Sequence, residues 1–283
     1  MNSDARAEFA RMTDALSPTE QPGRWDRLED MSPEEIAAAM SACDREAAEA
    51  VSNIGHDIGT VITAALSRVA QGGRIFYLGA GTSGRLGILD ASEIPPTFGV
   101  HGRFIGIIAG GDGAIRQAVE GAEDDAEGGI RDLQSHGAQS EDVVVGIAAS
   151  GRTPYVVGAL KWAREQGMLT VAITSNVHGP VAKAAAHSLV ADTGPEFVTG
   201  STRLKAGTAQ KLILNQLSTG IMIGAGHVQG NRMVDMQLAN AKLVERGTRM
   251  VAEALGVSMD RAQQLLTDAG SVRKAIDTFA ARG

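Results

Sequence analysis

The chain has 283 residues, 43% of them apolar and 21% charged, so it can bury a core without a disulfide or metal staple. Its single cysteine, Cys43, excludes an intrachain disulfide and a cysteine-rich metal knuckle, and fits a reducing compartment. A net charge of −7 argues against a general nucleic-acid or anionic-membrane binder, yet leaves room for a small anion held by backbone N–H groups.

Met1-Asn2-Ser3-Asp4 is polar and no apolar run of about 18 residues follows, so neither a signal peptide nor a membrane span is expected. The first seventy residues read as helices. Ser32-Pro33-Glu34-Glu35 combines an N-cap serine, a first-turn proline and acids facing the positive helix end. After Gly72-Gly73 the period changes, and Arg74-Ile75-Phe76-Tyr77-Leu78 reads as a buried strand ending at Gly79. Similar runs recur at 104–109, 143–148, 169–174 and 187–191, separated by helical stretches at 85–91, 114–123 and 154–165. This βαβ rhythm predicts an α/β fold with a doubly wound parallel sheet, whose ligands bind at the carboxyl ends of the strands. The chain looks helical again from Leu204 and ends in a separately punctuated polar piece, 258–282. The expected organisation is an N-terminal helical segment over 1–53, a central α/β domain over 54–224 and a C-terminal helical region over 225–283.

Glycine is concentrated after the strands: 35 of 283 residues, about 12% against a usual share of about 7%. Such loops let a backbone approach a ligand closely. Gly79-Ala80-Gly81-Thr82-Ser83-Gly84-Arg85 follows a strand and opens a helix, which makes an anion site. It also satisfies G-x-G-x-x-G, but no acid ends the next strand at the dinucleotide-fold distance of about 20 residues. Gly146-Ile147-Ala148-Ala149-Ser150-Gly151-Arg152-Thr153 nearly spells a P-loop, with Arg152 in place of the lysine, so a nucleoside triphosphatase is rejected. Gly81, Thr82, Ser83, Ser150, Gly151 and Thr153 are therefore the candidate phosphate ligands, each hydroxyl being also a natural helix cap.

Three carboxylates stand near these loops: Glu93 before Ile94-Pro95-Pro96, Glu123 in an acidic stretch, and Glu196 after Gly194-Pro195. Two glutamates beside one sugar can divide acid and base roles, because unequal burial splits their pKa values. The six histidines lack metal-ligand spacing, and no G-x-S-x-G elbow appears, so neither a metal site nor a serine hydrolase is expected.

Several long motifs, Gly79–Gly87, Leu89-Asp90-Ala91-Ser92-Glu93-Ile94-Pro95-Pro96, Ile108-Ala109-Gly110-Gly111-Asp112, Val119-Glu120-Gly121-Ala122-Glu123-Asp124, Ala149–Pro154 and Gly200–Lys211, closely resemble the N-acetylmuramic acid 6-phosphate etherases of the sugar isomerase (SIS) superfamily. The resemblance runs from about residue 28 to 251. It implies a five-stranded SIS sheet, a cytoplasmic enzyme of cell-wall sugar recycling, and a homodimer with the site near the subunit interface. The implied reaction cleaves the D-lactyl ether with water, without metal or redox cofactor. Glu93 is the implied acid and Glu123 the base, with the reverse assignment open, and Glu196, Ser201 and Lys205 are candidate substrate contacts. Two rivals stand beside it: a sugar-phosphate-binding regulator of the same superfamily, and an aldose–ketose isomerase using Glu196 or a histidine.

Overall fold

Five short apolar runs form one parallel sheet, and their alternation decides which helices cover each face. The computed structural model describes residues 17–280, so residues 1–16 of the expected N-terminal segment and the end of the expected tail lie outside the described residues. Helices α1 (Pro33–Ser52) and α2 (Gly55–Ala70) lead into β1 (Ile75–Gly79). α1 starts on the expected N-cap serine, and the structure closes it into a capping box: Ser32 and Glu35 exchange side-chain bonds with each other's backbone N–H. There follow α3 (Gly81–Ser92), α4 (Ile94–Phe98), β2 (Phe104–Ile108), α5 (Gly113–Arg116), α6 (Gly128–Ser135) and β3 (Val143–Ile147). Next come α7 (Pro154–Glu165), β4 (Leu169–Thr174), α8 (Pro180–Ala184), β5 (His187–Val190) and α9 (Lys205–Gly224). The chain closes with α10 (Ala241–Leu255), α11 (Met259–Ala269) and α12 (Val272–Ala280).

The strand order is β2-β1-β3-β4-β5, all parallel. The chain steps from β1 outward to β2, then returns to pair β3 on the other side of β1. The carboxyl ends of β1 and β3 therefore flank the switch-point crevice where ligands of such sheets bind. Ile75, Tyr77, Val143, Val145 and Ile147 face a core shared with α1, α2 and α9, while Phe76, Leu78 and Val144 face α6, α7 and α8. That is the period-2 alternation of strands buried on both sides.

One expected element is much shorter than the sequence indicates. The helix read over 114–123 stops at Arg116, with Gln117 already extended at φ −133°, ψ 130°. Gly121 then takes φ +72°, a left-handed conformation that only glycine adopts cheaply, and a single 3-10 turn spans Ala122–Asp124. Apolar spacing alone did not reveal the break.

The last three helices surround a separate small core of Val234, Met236, Val251, Ala262, Leu266, Val272 and Ala275. Asp235 joins it to the loop before it, accepting from Arg273 Nε at 2.6 Å and pairing with His227 Nδ1 at 2.9 Å. Gln237 N–H bonds Pro96 O at 3.3 Å, so this region abuts α4. Among the described residues, no helix is long and apolar enough to cross a membrane.

Candidate active site

Two loops meet at the switch point, and each is shaped by glycines that a larger residue would break. A Cβ on Gly84 would lie 2.6 Å from Ile108 and 2.7 Å from Gly79 O, so α3 starts as close to the sheet as a helix can. Gly81 takes φ +53° at the first helical position, and Ala80 supplies no side-chain cap. The first N–H groups of α3 are thus left for an anion. Thr82 is half-buried and its methyl group packs near Gly207 of α9. Ser83 is buried, and its hydroxyl donates to Gln210 Oε1 at 2.9 Å.

The second loop is held from the β4 side. Asn176 Nδ2 donates to Ser150 O at 2.9 Å, Ser175 N–H to Ala149 O at 3.1 Å and Val181 N–H to Gly151 O at 3.0 Å. These bonds occupy carbonyls that would otherwise repel an anion. Gly151 takes φ +71° with Thr174 Oγ1 only 3.0 Å from where a Cβ would stand. Ser150 Oγ accepts from Arg152 N–H at 3.3 Å, and Thr153 is the N-cap residue of α7 without a side-chain cap bond. Since β1 and β3 pair in register, Gly79 against Ile147, the six candidate phosphate ligands lie on adjacent strand ends.

Glu123 lies beside the first loop. It lines a cavity of about 350 Å³ with Gly81, Arg85, Ala109, Val119 and Gly121. Arg85 braces the cavity wall, donating Nε to Ile115 O and Nη2 to Ala114 O, both at 2.8 Å. Gly158 of α7 permits the rest of this segment to pack down, because a Cβ there would lie 1.8 Å from Ala126 O. Asp125 caps α6 through Glu127 N–H and Gly128 N–H, and Arg131 holds its carboxyl below the usual range. The 3-10 turn bearing Glu123 is therefore fixed on both sides.

Glu93 lies at the other end of α3. It is exposed, and serves as the C-cap of α3 and the N-cap of α4. The twelve residues of α3 span about 18 Å, so Glu93 stands that far along the helix from Gly81. Just before it, Asp90 is buried and accepts from Asn215 Nδ2 at 2.7 Å and Ser218 Oγ at 3.2 Å, both from α9. Burial pushes the Asp90 carboxyl up against these donors, and burial followed by the Asp90 charge pushes the enclosed Tyr77 phenol up too.

The remaining candidates have structural partners. Glu196 is fully buried at the start of α9, where its oxygens accept from Lys205 N–H at 2.8 Å and Ala206 N–H at 3.0 Å. Burial raises its pKa despite these bonds. Lys205 is 4% exposed, and its ammonium donates to Glu46 at 2.6 Å and Pro195 O at 3.1 Å. Ser201 is half-buried in the turn before α9. Sequence reasoning did not single out Asp90, Gln210 or Arg85. All three lie inside the recognised motifs, Gln210 in Gly200–Lys211, but a neutral amide within a helix carries no chemical signature of its own.

The glucokinase regulatory protein N-terminal SIS domain family matches residues 57–164, and the SIS domain family matches residues 125–219. The N-acetylmuramic acid 6-phosphate etherase of Porphyromonas gingivalis is 55% identical over 262 residues, covering 92% of this chain and 96% of that protein. Its Bacteroides thetaiotaomicron counterpart is 53% identical over 262 residues, covering 92% and 95%. The phosphoheptose isomerase structure from Francisella tularensis superposes with a TM-score of 0.52 at 19% identity, over 68% of this chain and 99% of that one, and so shares the fold. Long motifs, sheet order and near-complete coverage agree: the chain is a member of the N-acetylmuramic acid 6-phosphate etherase family, built on an SIS fold.

Proposed function

We propose that the chain cleaves the D-lactyl ether of N-acetylmuramic acid 6-phosphate with water, giving N-acetylglucosamine 6-phosphate and D-lactate. The phosphate sits on the first turn of α3 and the Ser150–Thr153 loop. In the open-chain sugar the C1 aldehyde acidifies the C2 proton, which Glu123 removes. The C2–C3 double bond forms as the C3–O bond breaks, and Glu93 protonates the departing ether oxygen. Water then adds at C3, giving up a proton to Glu93, while C2 regains its proton from Glu123. General acid and base each contribute typically 10²–10⁴-fold in rate. Glu196 and Lys205 are left out of this scheme, since Glu196 is engaged by the first two N–H groups of α9 and the Lys205 ammonium by Glu46.

One observation shapes the reading further. From a C6 phosphate to the C3 ether oxygen runs a path of six bonds, on the order of 8 Å when extended. The α3 helix is about twice that length. A substrate anchored at Gly81 and Glu123 of one protomer therefore takes its acid from Glu93 of a second copy, in a homodimer with shared sites. The reaction belongs in the cytoplasm, in keeping with a lone, buried Cys43.

The test is subunit mixing. Glu93→Ala and Glu123→Ala are each expected to release almost no D-lactate alone. Co-refolded in equal amounts they regain about a quarter of wild-type turnover, because half the dimers are mixed and each holds one intact site. No recovery from a mixture shown to exchange subunits would place both glutamates in one protomer's site. Saturable sugar-phosphate binding by the wild type without lactate release would favour the regulator.

A further inference from the structure

The Ser83–Gln210 contact extends the phosphate reading and rests on it. Ser83 Oγ and Gln210 Oε1 are 2.9 Å apart, both side chains are buried, and the hydroxyl donates. Gln210 is 2% exposed, and its Nε2 has no hydrogen-bond partner. A buried amide donor left unpaired is costly, and a carboxamide is nearly symmetrical about its last torsion. Half a turn brings Nε2 to the position of Oε1, within hydrogen-bond reach of Ser83 Oγ.

The two orientations differ in where one hydrogen points. A serine hydroxyl has a single donor hydrogen and two acceptor lone pairs. With the amide oxygen toward Ser83, that hydrogen is spent on Gln210. With the nitrogen toward Ser83, Nε2 donates to Oγ and the hydroxyl hydrogen is released toward the first turn of α3. We propose that Gln210 is a positioning residue that turns the Ser83 hydroxyl into a donor for a phosphate monoester. An anion on the loop favours the second orientation, in which Nε2 is paired and Oε1 takes the place left without a partner. The neighbouring geometry fits: Gly207, one turn earlier on α9, lies against the Thr82 methyl group of the same loop.

Calorimetric titration with inorganic phosphate and with N-acetylglucosamine 6-phosphate tests this on the intact protein. Ser83→Ala and the volume-preserving Gln210→Met are each expected to weaken binding about tenfold, the loss of one hydrogen bond to a charged group. The double variant is expected to bind no worse than either single one, because Gln210 acts through Ser83. Gln210→Glu keeps the side-chain shape but only accepts when ionised, so it holds the hydrogen inward and weakens binding further. Melting temperatures separate these effects from failure to fold, and in turnover KM rises by more than kcat falls. Wild-type affinity in Gln210→Met and Gln210→Glu beside a weakened Ser83→Ala would overturn the inference, as would additive losses in the double variant. Unchanged binding in Ser83→Ala would instead sink the phosphate reading of this loop, and the inference with it.

Discussion

At its first turn α3 presents almost nothing but backbone. Gly79, Gly81 and Gly84 clear the space, Ala80 leaves the helix start uncapped, and the one buried side chain, Ser83, is tied to Gln210 of α9. At its last turn the same helix does the opposite. Asp90 is sunk into a polar cluster with Asn215 and Ser218, again from α9, and the next turn thrusts Glu93 into solvent. An anion is best held by many weak, preset dipoles, which requires side chains to be absent. A proton donor that must meet another molecule has to protrude, and its precision comes from what is fixed beneath it. One neighbouring helix anchors both ends.

The largest effects separate the two glutamates. Glu93→Gln and Glu123→Gln should each lower kcat by about 10²–10⁴-fold. In deuterated water, however, only Glu93→Gln should still exchange the C2 hydrogen of the substrate, as followed by proton NMR. Exchange kept in Glu123→Gln and lost in Glu93→Gln would reverse the acid and base roles. A smaller effect is expected at the anchor. Asp90→Ala leaves Asn215 and Ser218 without their acceptor, costing about 1–3 kcal/mol in urea unfolding. It should lower kcat by loosening the Glu93 end while leaving phosphate affinity close to wild type. Equal damage to both would mean that the two ends of α3 are not independent.

The smallest effect on chemistry comes from a pair at the amino edge of the sheet. Asp142 accepts from Arg74 N–H at 2.7 Å, Arg74 Nη2 at 2.8 Å and Gln139 N–H at 2.9 Å. Burial alone would raise its pKa, but the Arg74 and backbone bonds outweigh it and hold the carboxyl below the usual range. A carboxyl depressed in the folded state stabilises at pH above its unfolded value, about 3.9, and loses that contribution as pH falls through the lower folded one. Asp142→Asn should therefore be less stable than wild type by about 1–3 kcal/mol at pH 7. The gap should close under acid, with lactate release unchanged. A gap that persists below the folded pKa would assign the loss to packing rather than charge.

Much of this was legible from the chain alone. The strands announce themselves as short, mostly apolar runs, and the loops after β1 and β3 carry their chemistry in consecutive residues. What resisted reading depends on contacts far apart in sequence. Glu196 looked like a free carboxylate after Gly-Pro, and only the fold brings it to the start of α9 nine residues on. Gln210 meets Ser83 across 127 residues, and its place in the Gly200–Lys211 motif does not say which loop it reaches. The stretch before Glu123 has helical spacing, but the backbone is already extended at Gln117, and the left-handed Gly121 then leads into the 3-10 turn that sets the glutamate on the cavity wall.

The burial of Glu196 also settles a competition among helices. Three of them begin near the switch point, and each carries a partial positive charge at its start. At α9 that charge is already answered by a full carboxylate, bonded to its first two N–H groups and shut away from water. The helix is thereby a spent magnet: it braces Ser83 and Asp90 without drawing the anion to itself. The starts of α3 and α7, left without side-chain caps, stay unneutralised, and they are the two to which the proposed reading assigns the phosphate.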